Sequence, residues 1–302
     1  MTQALAYLWE EKDTGRQLAP RSIFKATAIN HLSYGVQNYA ETRDWYMDIF
    51  GMDCVYDDGK QASVGCGNPR REIYIRKRDN PPMPCMDHWA ISIADFDAEH
   101  AHQALLKWGI DGVDWDGDFA WHARDNNGFM TQVCAEVGVF PGAATRGWNT
   151  NGRIPSGDKA SRPSKTGWKT TGINHVSYGV PDYKRTRDFY IDLFGMRVTF
   201  EDGLKCALSF GANPEDSIYI VQRDDGPVID HIAISIANFD LRETEKAIQR
   251  LGFEYMDDGD SAWTLTDLNG HRVQVCAETG VYPGAARDFF HQTRTKFTRE
   301  SS

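Results

Sequence analysis

Short stretches of alternating polar and apolar residues predict most of the strands. Residues 31–36 carry His, Ser and Gly on one face and Leu, Tyr and Val on the other, and residues 88–93 repeat the pattern with His, Ala and Ser against Trp, Ile and Ile. A period of two is typical of a strand that turns one face to a core. Residues 72–77 and the segments around Trp121 and Gln132 are predicted as further strands.

A helix is predicted after each of the two histidine-bearing strands. Residues 38–50 have helical apolar spacing and end at Gly51, and residues 98–108 form a second helix that ends at Gly109. Short strands follow each helix, so the order βαβββ is used twice. Because the β–β connections are short, these strands are expected to pair antiparallel. The predicted class is α+β, with a mixed sheet that curls into a cup.

The whole pattern occurs twice in the chain. INHLSYGV at 29–36 returns as INHVSYGV at 173–180, and QVCAE at 132–136 returns at 274–278. Two long copies indicate tandem duplication of one domain. The predicted parts are an N-terminal arm at 1–27, a first domain at 28–145, a linker at 146–170, a second domain at 171–287 and a C-terminal tail at 288–302. The linker is rich in Gly, Ser, Pro and basic residues, which favours a solvated tether over a clamp.

Composition narrows the classes of function. The chain has 302 residues, of which 41% are hydrophobic and 25% charged, and its formal net charge is −10. So acidic a protein repels phosphate backbones, which argues against nucleic acid as a partner. No apolar run approaches the ~18 residues that a membrane helix needs. The first residues lack a basic and an apolar region, so we expect a cytoplasmic protein with reduced cysteines and no membrane partner.

Each copy offers side chains that could hold a metal. One histidine stands on the polar face of each long strand: His31 and His88 in the first copy, His175 and His231 in the second. The closing strands add Gln132 and Glu136, and Gln274 and Glu278, to one face. Imidazoles and an oxygen ligand from separate strands suit a divalent metal, and we favour this interpretation. The alternative is hydrogen-bonded core histidines, since a duplication copies these as faithfully as ligands.

Together the motifs resemble the vicinal oxygen chelate superfamily, which includes glyoxalase I, the fosfomycin and bleomycin resistance proteins and the type I extradiol dioxygenases. The resemblance rests on the N-H-x-S-Y-G-V strand, the helix ending in F-G-M, the D-H-x-A-I-S-I strand and the D-x-N-G hairpin, in this order in both copies. It implies that the four strand histidines are metal ligands. Relatives carry a glutamate four residues after the hairpin glycine, where this chain has Gln132 and Gln274. Glu136 and Glu278 are the alternative third ligands.

Several polar residues occur in the first copy only. His122 aligns with Thr264 and is assigned as general acid/base or as a replacement third ligand, with an exposed strand histidine as the alternative. Arg76 and Arg124 have no counterpart in the second copy and suit an anionic substrate. Trp121 is assigned to an aromatic substrate pocket. We therefore expect the working site in the first domain; the resemblance to two-domain relatives implies the second as the alternative.

Three functions are open at this point. The first is an Fe(II)-dependent dioxygenase that opens a small aromatic diol with O₂. The second is a redox-neutral lyase or isomerase of the glyoxalase type, for which Mn(II), Zn(II) or Ni(II) are the alternative metals. The third is a non-catalytic binding or resistance protein. Each has a small-molecule partner, and a homo-oligomer is left open.

Overall fold

Two repeated halves make up the fold, seen here in a computed structural model. The structure describes residues 22–68, 70–81, 86–110, 113–115, 120–136, 161–210, 217–257 and 262–278. The elements of the first half are β1 (Ala26–Val36), α1 (Tyr39–Phe50), β2 (Asp53–Asp57), β3 (Gln61–Cys66), β4 (Arg71–Lys77), β5 (Met86–Ile93), α2 (Ala98–Lys107), β6 (Asp114–Trp115), β7 (Ala120–Arg124) and β8 (Met130–Cys134).

The second half repeats this order. Its elements are β9 (Thr170–Val180), α3 (Tyr183–Phe194), β10 (Arg197–Glu201), β11 (Lys205–Ser209), β12 (Ser217–Gln222), β13 (Val228–Ile236), α4 (Leu241–Arg250), β14 (Tyr255–Asp257), β15 (Ala262–Thr266) and β16 (Arg272–Ala277). None of the described helices is long and apolar enough to cross a membrane.

Each half forms one eight-stranded mixed sheet. The strand orders are β2-β3-β4-β1-β5-β8-β7-β6 and β10-β11-β12-β9-β13-β16-β15-β14. In the first sheet β1 runs antiparallel to β5, while β4 and β8 lie outside this pair and run parallel to β1 and β5. The predicted α+β class and the tandem βαβββ units are confirmed. The histidine-bearing strands β1 and β5 are central neighbours, and this brings their side chains together.

The helices begin and end where the sequence predicts, for identifiable reasons. The side chain of Asn38 accepts a hydrogen bond from the Glu41 amide and caps α1. Gly51, at φ 65°, takes up the left-handed backbone that ends the helix. The apolar face of β1, which includes Leu32 and Tyr34, is fully buried in the core under this helix. The opposite face of the sheet is therefore left for polar side chains.

The largest hydrophobic cluster of the described residues contains side chains from both halves of the chain. Two buried carboxylates lie at the junction. Asp125 of the first half accepts hydrogen bonds from the hydroxyls of Tyr178 (2.9 Å) and Tyr190 (3.2 Å) of the second half. Asp267 accepts in the same way from Tyr46 at 3.3 Å. The two domains are thus joined by reciprocal polar contacts inside an apolar junction.

The described end of the predicted linker makes contacts with α1. Arg162 and Lys165 form ion pairs with Asp48 at 2.6 and 2.7 Å. Thr166 is buried and its hydroxyl donates to a carbonyl at the end of α1. The described end of the linker is therefore anchored on α1 through these three residues, while residues 161, 163, 165, 167 and 169 are exposed. The rest of the linker, most of the arm and the C-terminal tail lie outside the described residues.

His271 is a buried residue of the second domain that packs against the first. Its ring centroid lies 5.2 Å from that of Tyr34, and the side chain is 4% exposed. Its Nε2 atom has no hydrogen-bond partner within the described part of the chain. Burial lowers the pKa of His271 to about 4. The first domain has Phe129 at the matching place, against Tyr178.

Replacing His271 with phenylalanine is expected to make the protein less sensitive to acid. In the unfolded chain this histidine takes up a proton near pH 6.5, but in the fold only near pH 4. Its contribution therefore lowers stability as the pH falls from 6.5 towards 4 and has no such effect above that window. The increase in the free energy of unfolding that His271→Phe gives over the natural protein should be about 2 kcal/mol larger at pH 5 than at pH 8. Urea unfolding at both pH values measures the difference; equal gains would contradict this account.

Candidate metal centre

The four predicted histidines meet as two pairs. In the first sheet Ser33 of β1 lies opposite His88 of β5, so the rings of His31 and His88 project from one face. Their Nε2 atoms are 3.2 Å apart. The Nε2 atoms of His175 and His231 are 3.1 Å apart in the second sheet. We call the face that carries His31 and His88 the first cup, and the face that carries His175 and His231 the second cup.

The outer ring nitrogens of the second pair are held by acceptors. His175 Nδ1 lies 2.9 Å from Asn174 Oδ1, and His231 Nδ1 lies 2.8 Å from Asp230 Oδ2. In a neutral imidazole only one nitrogen carries a proton. In both rings the neighbouring oxygen can only accept a hydrogen bond, which places that proton on Nδ1. The two Nε2 lone pairs then face each other. Such a pair is satisfied by a cation placed between the rings.

In the first pair, His31 is held in a similar way. His31 Nδ1 lies 3.0 Å from Asn30 Oδ1, and the Asn30 amide nitrogen donates to the Ala135 carbonyl, so the amide oxygen is the end that faces the ring. Burial, with a smaller effect of Arg76, lowers the pKa of His31 to about 3. Burial also holds the pKa of His88 well below its usual value. Both rings are therefore neutral at pH 7, the form in which imidazole binds metals.

The spacing of the nitrogens fits a shared metal ion. Two imidazole nitrogens held about 2.1 Å from one ion, at a tetrahedral or octahedral angle, stand about 3.0–3.4 Å apart. The observed separations of 3.2 and 3.1 Å lie in this range. This spacing, together with the acceptors that hold Nδ1 of His31, His175 and His231, fits a divalent ion in either cup.

A buried glutamine lies on the histidine-bearing face of each sheet and is a candidate third ligand. Gln132 is fully buried and lies next to Ala90 of β5 and opposite His122 of β7. Gln274 is buried at the matching position. In the part of the chain that the structure describes, no three His, Cys, Asp or Glu side chains gather as a metal site. A ligand set drawn from these residues is therefore two imidazoles and an amide.

The alternative carboxylate ligands lie beyond the strand ends. Glu136 is exposed two residues after β8, and Glu278 is half-buried directly after β16. No bulge returns either residue to the strand registers of β8 or β16. The geometry therefore favours the glutamines over the glutamates as ligands.

His122 connects the first cup to solvent. Its ring centroid lies 4.9 Å from that of His88, and its Nε2 lies 3.2 Å from the amide nitrogen of Gln132. On the other side, its Nδ1 lies 3.4 Å from Asp114 Oδ1, and the Asp114 side chain is 71% exposed. The ring thus spans from the predicted ligands to a carboxylate in water, which is the arrangement that a proton relay needs.

Arg76 enters the first cup from β4. Its Nη2 donates to Ser33 Oγ at 2.9 Å and to Asp87 Oδ2 at 3.2 Å. The guanidinium lies 5.2 Å from the centroid of the Tyr74 ring. Its Nε is buried without a hydrogen-bond partner among the described residues. The structure therefore brings this predicted anion-binding residue to the histidine pair.

Sequence reasoning missed several groups on the same face of β4 and its neighbours. Glu72 is buried opposite His31 and accepts hydrogen bonds from Ser63 (2.6 Å) and Arg70 (2.8 Å). Tyr74 is buried two residues further on, between Glu72 and Arg76 on the strand. The alternation of residues 72–77 carries this signal. This alternation identifies residues of the first cup only when β4 is known to pair with β1.

One of the predicted substrate-binding residues on β7 points away from the cup. Trp121 precedes His122 on β7 and so points to the opposite face, where its indole donates to the Ala98 carbonyl and stacks on His102 at 4.0 Å. Arg124 is exposed and donates to a carbonyl of the adjoining hairpin. The assignment of Trp121 to the substrate pocket therefore does not fit the strand geometry. Arg124 lies two residues after His122, on the same face of β7, and its role as a substrate-binding residue stays a prediction.

Solved structures with this fold include ring-cleaving dioxygenases and a glyoxalase. A variant of homoprotocatechuate 2,3-dioxygenase from B. fuscum is 16% identical, with a TM-score of 0.63 over 87% of this chain and 75% of that one. An extradiol ring-cleaving dioxygenase from B. fuscum is 17% identical, with a TM-score of 0.65 over 89% and 76%. The Mn(II)-bound glyoxalase from Novosphingobium aromaticivorans is 15% identical, with a TM-score of 0.63 over 85% and 84%.

Sequence comparison gives the family. No curated protein matches the chain significantly. The sequence profile of the Glyoxalase/Bleomycin resistance protein/Dioxygenase superfamily matches residues 28–125 and 172–293, one segment for each half. These segments make up most of the chain and contain all four paired histidines. The chain therefore belongs to the Glyoxalase/Bleomycin resistance protein/Dioxygenase superfamily.

Proposed function

We propose that this protein is a metal-dependent enzyme whose first cup opens the ring of a small aromatic diol with O₂. One observation carries the proposal: the neutral His31 and His88 rings turn their Nε2 atoms to one point, 3.2 Å apart, beside a histidine that reaches solvent. The similar fold of the ring-cleaving dioxygenases supports the choice of reaction.

His31, His88 and Gln132 would hold the ion, and we favour Fe(II). When bound, it would supply Lewis-acid polarisation of two neighbouring substrate oxygens and the redox capacity that O₂ chemistry needs. Three protein ligands leave coordination positions for small molecules. The neutral amide of Gln132 leaves the charge of the ion largely uncompensated, which favours an anionic diol as substrate.

The rest of the first cup suits an aromatic acid. Tyr56 and Tyr74 are buried in one cluster with Ala90 and Cys134, on the histidine face of the sheet. Flat rings of this kind pack against an aromatic substrate. Arg76 would bind a carboxylate, for which its planar guanidinium is well matched. The substrate class is therefore a catechol-like ring that carries an acid group.

His122 would move the proton that the diol loses. Its Nε2 faces the cup and its Nδ1 faces the exposed Asp114, so a proton can be accepted on one side and released to water on the other. Ring opening adds both atoms of O₂ to the diol, so O₂ is the oxidant and no further reductant is required.

A redox-neutral lyase or isomerase is the second candidate. The amide ligand favours it, because an uncompensated ion is a stronger Lewis acid for stabilising an enediolate. The Mn(II)-bound glyoxalase among the similar structures is consistent with this candidate.

Oxygen uptake separates the two candidates and tests the role of His122. The full chain is loaded anaerobically with Fe(II) and mixed with 3,4-dihydroxybenzoate as probe. We expect uptake of one O₂ for each ring opened. Turnover of a probe without oxygen, by the Mn(II)- or Zn(II)-loaded protein, would favour the lyase instead.

The matched variant is His122→Thr, which introduces the residue found at position 264 of the second cup. Loss of a general acid/base is expected to lower kcat by about 10²–10⁴-fold, with metal content unchanged. An unchanged kcat would remove His122 from the reaction.

A further inference from the structure

We propose that the second cup is a separate binding site for a small organic anion, in which Lys205 takes the place that Arg76 has in the first cup. The inference rests on the proposed function for the metal and for the ligand class. The sequence comparison missed it, because Val221 aligns with Arg76 and leaves the second copy without this cation.

The strand register shows where the cation has moved. In the first sheet Arg76 of β4 pairs with Gln61 of β3. In the second sheet the matching pair is Val221 of β12 with Lys205 of β11. Paired residues on neighbouring strands point to the same face. The second sheet therefore carries the positive charge on β11 instead of β12, at the position that pairs with Val221.

The surroundings of the two cations also match. The guanidinium of Arg76 lies 5.2 Å from the Tyr74 ring, and Lys205 Nζ lies 6.0 Å from the Tyr219 ring. The Tyr219 ring is itself 6.2 Å from the ring of His175. The Lys205 side chain is 19% exposed, so most of it is withdrawn from water. Lys205 thus stands one aromatic ring away from the histidine pair.

The second role of Arg76 is taken by another residue. Arg76 also pairs with Asp87, and in the second domain Arg272 pairs with the matching Asp230. Asp230 also holds His231 at 2.8 Å. The Asp230 carboxylate is therefore neutralised without Lys205. Lys205 itself forms an ion pair with Asp202 at 3.8 Å. Asp230 therefore does not account for the position of Lys205 on this face of the sheet.

The chemistry of the second cup predicts binding without turnover. The ligand class is again a compound with two neighbouring oxygens for the ion and a carboxylate for the cation. Lysine is a point charge on a flexible stem, so the second cup accepts a wider range of carboxylate positions than the arginine does. Thr264, which is buried, replaces His122, so no imidazole carries a proton away.

The test counts binding sites. The full chain is loaded anaerobically with Mn(II), and calorimetry follows its titration with 3,4-dihydroxybenzoate. We expect two molecules of probe per chain for the natural protein and one for Lys205→Gln, which introduces the residue of the first cup. The double variant Lys205→Gln/Val221→Arg rebuilds the first arrangement and should restore two. Metal content near two per chain in Lys205→Gln shows that the second domain is folded.

A second arm leaves the residues of the second cup unchanged. In His31→Ala, the remaining site should bind 3,4-dihydroxybenzoate about tenfold more tightly than its uncharged methyl ester. Two probes per chain in Lys205→Gln, no probe bound by His31→Ala, or equal affinities of His31→Ala for acid and ester would overturn the inference. None of these results affects the proposed activity of the first cup, which fails separately if no O₂ is consumed.

Discussion

The His88→Ala variant is expected to lose the metal of the first domain and, with it, ring-opening activity. His88 contributes one of two Nε2 atoms that face each other at 3.2 Å, and alanine leaves His31 alone. A single imidazole and a neutral amide hold a divalent ion weakly. We expect kcat/KM to fall by more than about 10³-fold, on the order of 4 kcal/mol of transition-state stabilisation. Elemental analysis and oxygen uptake on one preparation measure both effects.

His231→Ala is the matched control, because it removes the corresponding ring of the second pair. It should lower the metal content by the same amount and leave ring opening to the first cup. If His231→Ala abolished oxygen uptake and His88→Ala did not, the working site would be in the second domain.

Replacing Asp125 with alanine is expected to destabilise the protein at the junction of the two domains. The residues of the two cups are left unchanged. One oxygen of this carboxylate accepts from the backbone amides of Asn127 (2.8 Å) and Phe129 (3.0 Å). The other accepts from the hydroxyls of Tyr178 and Tyr190 across the domain junction. Alanine leaves four donors without this acceptor, and two of them are the buried tyrosine hydroxyls. The expected loss is about 3–5 kcal/mol in the free energy of unfolding.

Asp125→Asn is the control for this prediction. The amide oxygen still accepts from the two backbone groups, and the amide nitrogen can donate to the tyrosine hydroxyls. Burial raises the pKa of the Asp125 carboxyl, so its negative charge is not strongly favoured in the fold. The asparagine variant should therefore lose about 1 kcal/mol or less. Urea unfolding measures both variants, and an equal loss in the two would show that the hydrogen bonds at this junction contribute little.

The sequence was sufficient for features that depend on local pattern. Alternation placed the histidines on one face of β1 and β5, and the repeat showed that the same face exists twice. The convergence of His31 with His88 followed from these two facts and from the family resemblance. The capped start of α1 and its glycine stop are local as well, and they lie within one residue of the prediction.

Features that depend on strand pairing could not be predicted. Glu72 and Tyr74 face the first cup because β4 lies beside β1. These two strands are more than thirty residues apart in sequence. Lys205 was missed because an alignment of the two halves compares Arg76 with Val221. It does not compare Arg76 with the residue that pairs with Val221 on the neighbouring strand. Trp121 was placed on the wrong face for a simpler reason: it directly precedes His122, and adjacent strand residues point to opposite sides.

The most direct test of the metal centre is X-ray absorption at the metal edge of the anaerobically loaded protein. The account predicts about two imidazole ligands per bound ion in the natural protein, with close to two ions per chain. In His88→Ala one ion should remain, still with two imidazoles, because the second pair is intact. An ion bound without imidazole ligands, or a natural protein that takes up no stoichiometric metal, would contradict the central claim that each facing histidine pair is a metal site.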